Sequence, residues 1–136
     1  LEDKKVPLYG DGKNVRDWLF VEDNCDGIYF VLNKGTAGEV YNIAGGYEMM
    51  NIEMVRAILK AMAKDVSMVE YVKDRLGHDR RYSLDDSKLR AMGWKPGHTF
   101  ASALDKTVKW YEGNRDWWMK IKHKDTYKSY YKKQYK

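Results

Sequence analysis

The chain has one cysteine, Cys25, among 136 residues. A lone thiol forms no internal disulfide and builds no cysteine-based zinc site. Histidine is almost as scarce: His78 sits inside a polar cluster, whereas His98 and His123 have no ligand-type neighbours, so no metal site is expected. No run approaches the roughly eighteen apolar residues that span a bilayer. The opening Leu1-Glu2-Asp3-Lys4-Lys5 contains neither an apolar signal region nor an initiator methionine. The expectation is a cytoplasmic chain that begins in the middle of something longer. A Gly-x-Gly-x-x-Gly dinucleotide fingerprint is missing. So are internal repeats, low-complexity stretches, and any Ser/His/Asp or Cys/His set placed to supply a nucleophile.

What is present is globular. Hydrophobic residues make up 43% and aromatics 14%, too many for a disordered chain. The formal charge of +5 is unevenly distributed: residues Trp117 to Lys136 hold seven lysines and one acid, a tail of +6 on a body of −1. That excludes a uniformly basic nucleic-acid coat. In the tail, Tyr127, Tyr130, Tyr131 and Tyr135 fall at helical spacing, which predicts a basic, Tyr-rich terminal helix over 117–136. Such a stripe either packs inward with snorkelling lysines or stacks on bases and holds phosphates.

Short strands alternate with helices, so the class is α/β. Val6-Pro7-Leu8-Tyr9 is extended, Gly10-Asp11-Gly12 turns, and Val15 to Val21 reads as a strand. Val21, Cys25, Ile28 and Leu32 mark the packed face of a helix that Gly35 stops. Residues 38–44 read as a strand ended by Gly45-Gly46. Asn51 caps a helix with Ile52, Val55, Leu59 and Met62 on its buried face. Met68 to Val72 is a strand, 74–81 a polar loop, and Asp85 or Asp86 opens a short helix closed by Gly93. Thr99 caps a longer helix with Phe100, Leu104, Val108 and Tyr111 on one face. Some of these strands look like members of a sheet whose other strands are absent. Unpaired edges invite self-association or a missing partner segment.

Two loops could carry chemistry. Asp74-Arg-Leu-Gly-His-Asp-Arg-Arg-Tyr82 holds three arginines, a histidine and a glycine. Guanidinium forks suit phosphate oxygens, although the same residues also make an ordinary solvated loop with Arg–Asp pairs. Tyr9-Gly-Asp-Gly-Lys-Asn-Val-Arg-Asp17 could bring Arg16 to an anion, or be a plain glycine turn. Tyr9 and Lys13 match Tyr-x-x-x-Lys, but that chemistry needs a helix and Gly10 and Gly12 oppose one. Gly45-Gly46 alone is weak evidence for a phosphate cradle.

Three blocks make the sequence recognisable: 7–23 (Pro-Leu-Tyr-Gly-Asp-Gly-Lys-Asn-Val-Arg-Asp-Trp-Leu-Phe-Val-Glu-Asp), 38–46 (Gly-Glu-Val-Tyr-Asn-Ile-Ala-Gly-Gly) and 73–82 (Lys-Asp-Arg-Leu-Gly-His-Asp-Arg-Arg-Tyr). With Met92-Gly-Trp-Lys-Pro96, Thr107-Val-Lys-Trp-Tyr111 and Asn114-Arg-Asp-Trp-Trp118, they resemble the dTDP-glucose 4,6-dehydratases, extended short-chain dehydrogenase/reductases. The resemblance is to the C-terminal, sugar-nucleotide-binding portion, with the last strand and helix of the Rossmann sheet but not its N-terminal half. It implies a lyase family in which bound NAD oxidises C4 of the sugar, water leaves across C5 and C6, and the hydride returns to C6. The glycine fingerprint, the helical Tyr-x-x-x-Lys and the Thr-Asp-Glu acid/base motif of that family are not in this sequence. The expectation is therefore a dTDP-sugar binder without turnover, retaining no NAD, which forms a homo-oligomer or joins an N-terminal half. No membrane or nucleic-acid partner is expected.

The same resemblance assigns the ligand contacts. Pro7, Leu8 and Tyr9 pack near the nucleoside, Arg16 and Arg75 meet the diphosphate, and Asn51, His78 and Tyr135 match further nucleotide-contacting positions. Departures from the family are Asn24 in place of His, Leu76 in place of Pro before Gly77, and Tyr47 with Met49-Met50 before Asn51. The competing reading is a non-enzymatic module whose basic tail binds RNA or an acidic partner.

Overall fold

The computed structural model describes residues 1–135, with side chains to Lys133. β1 (Val6–Tyr9) lies parallel to β4 (Val69–Val72), with Val6 opposite Val69 and Tyr9 opposite Val72. Parallel strands need a long crossover, and here it carries β2 (Val15–Asp17), α1 (Val21–Lys34), β3 (Glu48–Met50) and α2 (Asn51–Ala61). β2 and β3 pair antiparallel, Val15 opposite Met50. A 3₁₀ turn at Val66–Met68 leads into β4. α3 (Ser87–Ala91), α4 (Phe100–Gly113), α5 (Arg115–Lys122) and α6 (Asp125–Tyr135) follow. No helix among the described residues is long and apolar enough to cross a membrane.

α2 is the centre of the core. Ile52, Met54 and Leu59 are buried on it, and Leu8 of β1 is buried beside it. A Cβ at Gly12, where φ is +69°, would lie 2.4 Å from Leu8 Cδ2 and 3.2 Å from Ile52. Only glycine allows that turn to fold over β1 and α2. A second small core gathers Ala44, Leu89 and Trp94, with the Trp94 indole N–H donating to Asp26 at 3.0 Å. Thr99 caps α4 as expected, its side chain accepting from the Ser102 N–H. Asp86 stands at the N-cap position of α3 but turns its carboxylate to Arg90 Nε at 2.8 Å, and Gly93 follows the helix end with φ +99°.

Several expectations are corrected. Asn51 is the first helical residue and not the cap. Met50 stands at the cap, its N–H donating to Glu53 Oε2 at 2.8 Å. Residues 38–44 form no strand, because no neighbouring strand is there to complete the ladder. The strand from Val15 ends at Asp17 instead of Val21, where pairing with β3 ends. α1 is rotated away from its expected face. Val21, Ile28 and Leu32 are 64%, 55% and 80% exposed, and Cys25 is exposed too. The helix instead buries Gly27, which packs against Ile43 and Trp94, and Asp23. The terminal stretch bends at His123–Lys124 into α5 and α6. Trp118 of α5 is buried, donating its indole N–H to Tyr111 O at 2.8 Å. Tyr127 and Tyr131 stack at 6.2 Å, and Tyr130 is exposed.

Candidate functional site

β1 and β4 are parallel and in register, so both chains leave the sheet at the same end. Gly10 N–H donates to Val72 O at 2.9 Å just beyond the last pair. The segments that follow, 10–16 (which runs into β2) and 73–82, are therefore neighbours. The crevice beyond the carboxyl ends of parallel strands is where α/β folds bind ligands. The loops are stitched together at Val15, whose N–H donates to Arg80 O at 2.8 Å and whose carbonyl accepts from Tyr82 N–H at 3.0 Å.

This stitching gathers four of the expected residues. The Arg16 guanidinium reaches His78 Nε2 at 3.2 Å, Asp79 O at 3.1 Å and Val15 O at 2.6 Å. It also lies 4.3 Å above the Tyr82 ring. His78 meets Asp74 Oδ1 through Nδ1 at 2.6 Å, and its side chain is 4% exposed. Because Arg16 can only donate, Nε2 must accept and Nδ1 must carry the proton toward Asp74. The hydrogen bond from His78 holds the Asp74 carboxyl below its ordinary range, with help from the Arg75 N–H. Asp74, His78 and Arg16 thus form a chain that fixes the direction of the guanidinium. Tyr9 meets His78 edge-on at 5.8 Å, and the Arg75 guanidinium lies 5.1 Å from the Tyr9 ring. The Arg75 guanidinium has no carboxylate partner among the described residues. The result is an exposed cation and an oriented one beside an aromatic ring, a combination suited to a phosphorylated, ring-bearing ligand.

The remaining expected residues are placed differently. Pro7 is half-buried on β1, and Leu8 is buried against Gly12 and Ile52, so its side chain serves the core. Asn51 begins α2 next to Val15, and its Oδ1 is buried without a hydrogen-bond partner among the described residues. The side chain of Tyr135 lies outside the described residues. Lys13 lies in the turn after β1, so Tyr9 and Lys13 share no helical face.

Sequence reasoning missed several supports. Tyr82 donates to Asp79, and that bond pushes the phenol up. Arg80 forms a bidentate pair with Asp11 at 2.8 and 3.0 Å. That pair and the Lys13 N–H pull the Asp11 carboxyl down to about 2, and Asp11 raises Arg80 in turn. Arg81 pairs with Glu48 through two bonds of 2.8 Å. Away from this cluster, His98 does have partners: Asp23 at 2.7 Å and Lys106 at 2.9 Å. Buried Asp23 also accepts from Gly97 N–H at 2.9 Å, so the group ties α1 to the start of α4. Its members are too far apart in sequence for any local signal. It edges an apolar cleft of about 1130 Å³ lined by Phe20, Met54, Ile58 and Leu104.

The glycine pair does not fit a dinucleotide. A Cβ at Gly45 would lie 2.0 Å from Trp18 O, so this glycine lets two backbones touch and leaves no room for a phosphate. Gly45 therefore forms no part of a phosphate cradle.

Residues 1–107 match the model of the GDP-mannose 4,6 dehydratase family. The dTDP-glucose 4,6-dehydratase of an Actinoplanes species is 48% identical over 119 residues, covering 87% of this chain and 37% of that protein. A solved dTDP-glucose 4,6-dehydratase from Bacillus anthracis, in complex with NAD, is 50% identical with a TM-score of 0.82, over 88% of this chain and 38% of that one. Another, from Streptomyces venezuelae with NAD and TYD bound, is 49% identical with a TM-score of 0.79, over 84% and 36%. The chain therefore spans little more than a third of these relatives' length and corresponds to their C-terminal part. On fold, length of match and identity, this chain belongs to the GDP-mannose 4,6 dehydratase family of extended short-chain dehydrogenase/reductases, as a C-terminal portion similar to that of the dTDP-glucose 4,6-dehydratases.

Proposed function

We propose that this chain is the nucleotide-sugar-binding part of a dTDP-glucose 4,6-dehydratase, and that alone it binds dTDP-sugar without turning it over. The observation that carries this reading is the convergence of Arg16, Arg75 and His78 around Tyr9 at the ends of two parallel strands. Two cations match the charge of a diphosphate, and Arg16 already has its fork directed by His78 and the Asp79 carbonyl. Tyr9, flanked by His78 and Arg75, adds an aromatic wall beside which a base or sugar ring would lie, and Asn51 adds a further polar contact. Water elimination needs groups this chain does not carry: a dinucleotide fingerprint, a helical Tyr-x-x-x-Lys pair and a Thr-Asp-Glu acid/base set. NAD, and with it the hydride chemistry, belongs to a Rossmann half outside these residues. That half also supplies the neighbour that the exposed stripe of α1 and the unpaired segment 38–44 lack. The assembled protein works in the cytoplasm.

Calorimetric titration of the chain with dTDP tests the first part, and incubation with dTDP-glucose and NAD tests the second. Expected are saturable dTDP binding and no sugar product. A chain that ignores dTDP, in titration and in thermal melting, would refute the binding site. Product formation by the chain alone would refute the division of labour.

A further inference from the structure

Asn14 is the most deeply buried polar side chain described, 2% exposed, and it is poorly satisfied. Its Oδ1 has no hydrogen-bond partner among the described residues, while its Nδ2 donates to Asp79 O at 3.2 Å. A buried acceptor left unpaired destabilises a fold, and an apolar residue of the same size would avoid that loss. An amide at this position points to a role other than stability. The atom it holds suggests what: the Asp79 carbonyl also receives Arg16 Nη2 at 3.1 Å. The backbone stitching between the two loops begins one residue later, at Arg80 O. Asn14 Nδ2 and Arg16 Nη2 are the two donors to the Asp79 carbonyl among the described residues. On its backbone side, Asn14 O accepts the Asn51 N–H at 2.9 Å and so fixes the start of α2. One residue thereby connects α2, Arg16 and the loop that carries Arg75 and His78.

We propose that Asn14 is a positioning residue for the diphosphate site. It presents the Asp79 carbonyl as a rigid stop against which the Arg16 guanidinium is set before ligand arrives. The proposal rests on the dTDP-binding reading above and deepens it. Its effect is on preorganisation: an Arg16 that must be ordered on binding loses part of its bond energy to that ordering.

The test compares dTDP with dTMP, whose affinity ratio isolates the second phosphate. Asn14→Leu is near-isosteric and removes both the donor and the orphaned acceptor. It is expected to keep or raise the melting temperature while lowering the dTDP:dTMP affinity ratio about tenfold, the worth of one net hydrogen bond. A merely structural asparagine would lower melting and both affinities together. Asn14→Ser, whose folding is followed by circular dichroism, decides the same ratio if the leucine variant does not fold. Ratios within twofold of wild type in a folded variant would overturn the proposal. Failure of the wild-type chain to bind dTDP would overturn the underlying reading, and this inference with it.

Discussion

Arg16 and Arg75 carry the same charge in the same cluster, yet replacement by lysine should separate them. Arg16 makes three hydrogen bonds, to Val15 O, His78 Nε2 and Asp79 O, and covers the Tyr82 ring. Lysine has no planar fork, so its ammonium cannot hold the Asp79 carbonyl and His78 while also facing a phosphate. Arg16→Lys should lose one charge-assisted bond to the diphosphate, about 1.5–3 kcal/mol, or roughly 10- to 150-fold in Kd. Arg75 is exposed, and the contact given for its guanidinium is the Tyr9 ring. It acts as a point charge, so Arg75→Lys should cost less than about 1 kcal/mol. Titration calorimetry with dTDP at one fixed ionic strength measures both, and circular dichroism melting checks that each variant is folded. Equal losses in the two lysine variants would refute the distinction between an oriented and an unoriented cation. So would an Arg16→Lys variant that binds within twofold of wild type.

Gly45→Ala should unfold the chain or lower its melting point sharply, because a Cβ 2.0 Å from Trp18 O forces two backbones apart, at a cost of at least about 1–3 kcal/mol. A melting curve matching wild type would show that the contact relaxes. Leu32→Glu on α1, at a position 80% exposed, should shift the chain's own stability by no more than about 0.5 kcal/mol. The same change should weaken capture of a separately expressed Rossmann half in a pull-down, and unaltered capture would remove α1 from that interface. Asp11 titrates near 2, below its ordinary value of 3.8, because it is held by Arg80. A carboxyl depressed by folding stabilises fully above its unfolded pKa and loses that contribution as pH falls through the folded one. Melting temperature should therefore drop between about pH 4 and 2, and Asp11→Asn should flatten part of that drop. A variant with the wild-type slope would show that the pair adds nothing.

Local rules found the elements whose causes are local. Thr99 caps α4 through its own side chain, and the glycine turn at 10–12 follows directly from residue type. They failed where a distant partner decides. Glu48-Met49-Met50 has no β signature and is a strand only because β2 lies beside it. Residues 38–44 have the signature and lack the neighbour. On α1 the spacing of apolar residues reveals a face but not the direction in which it points. That is set by Gly27 docking on Ile43 and Trp94. In the site, Arg16, Arg75 and His78 were legible as residue types suited to an anion. The Asp74–His78–Arg16 chain and the buried Asn14 amide depend on the parallel pairing of β1 with β4, which no window of sequence encodes.

The first two helical N–H groups of α2 are already occupied, Asn51 by Asn14 O and Ile52 by Gly12 O. The positive pole of that helix is thus capped by the chain's own loop and offers an anion little. Many phosphate sites are written in backbone, where a point mutation changes nothing chemical. The site proposed for this chain is written in side chains instead, on β1, β2 and the 73–82 loop. On that proposed reading, its choice of nucleotide can be retuned one residue at a time, without disturbing the backbone that holds these side chains in place.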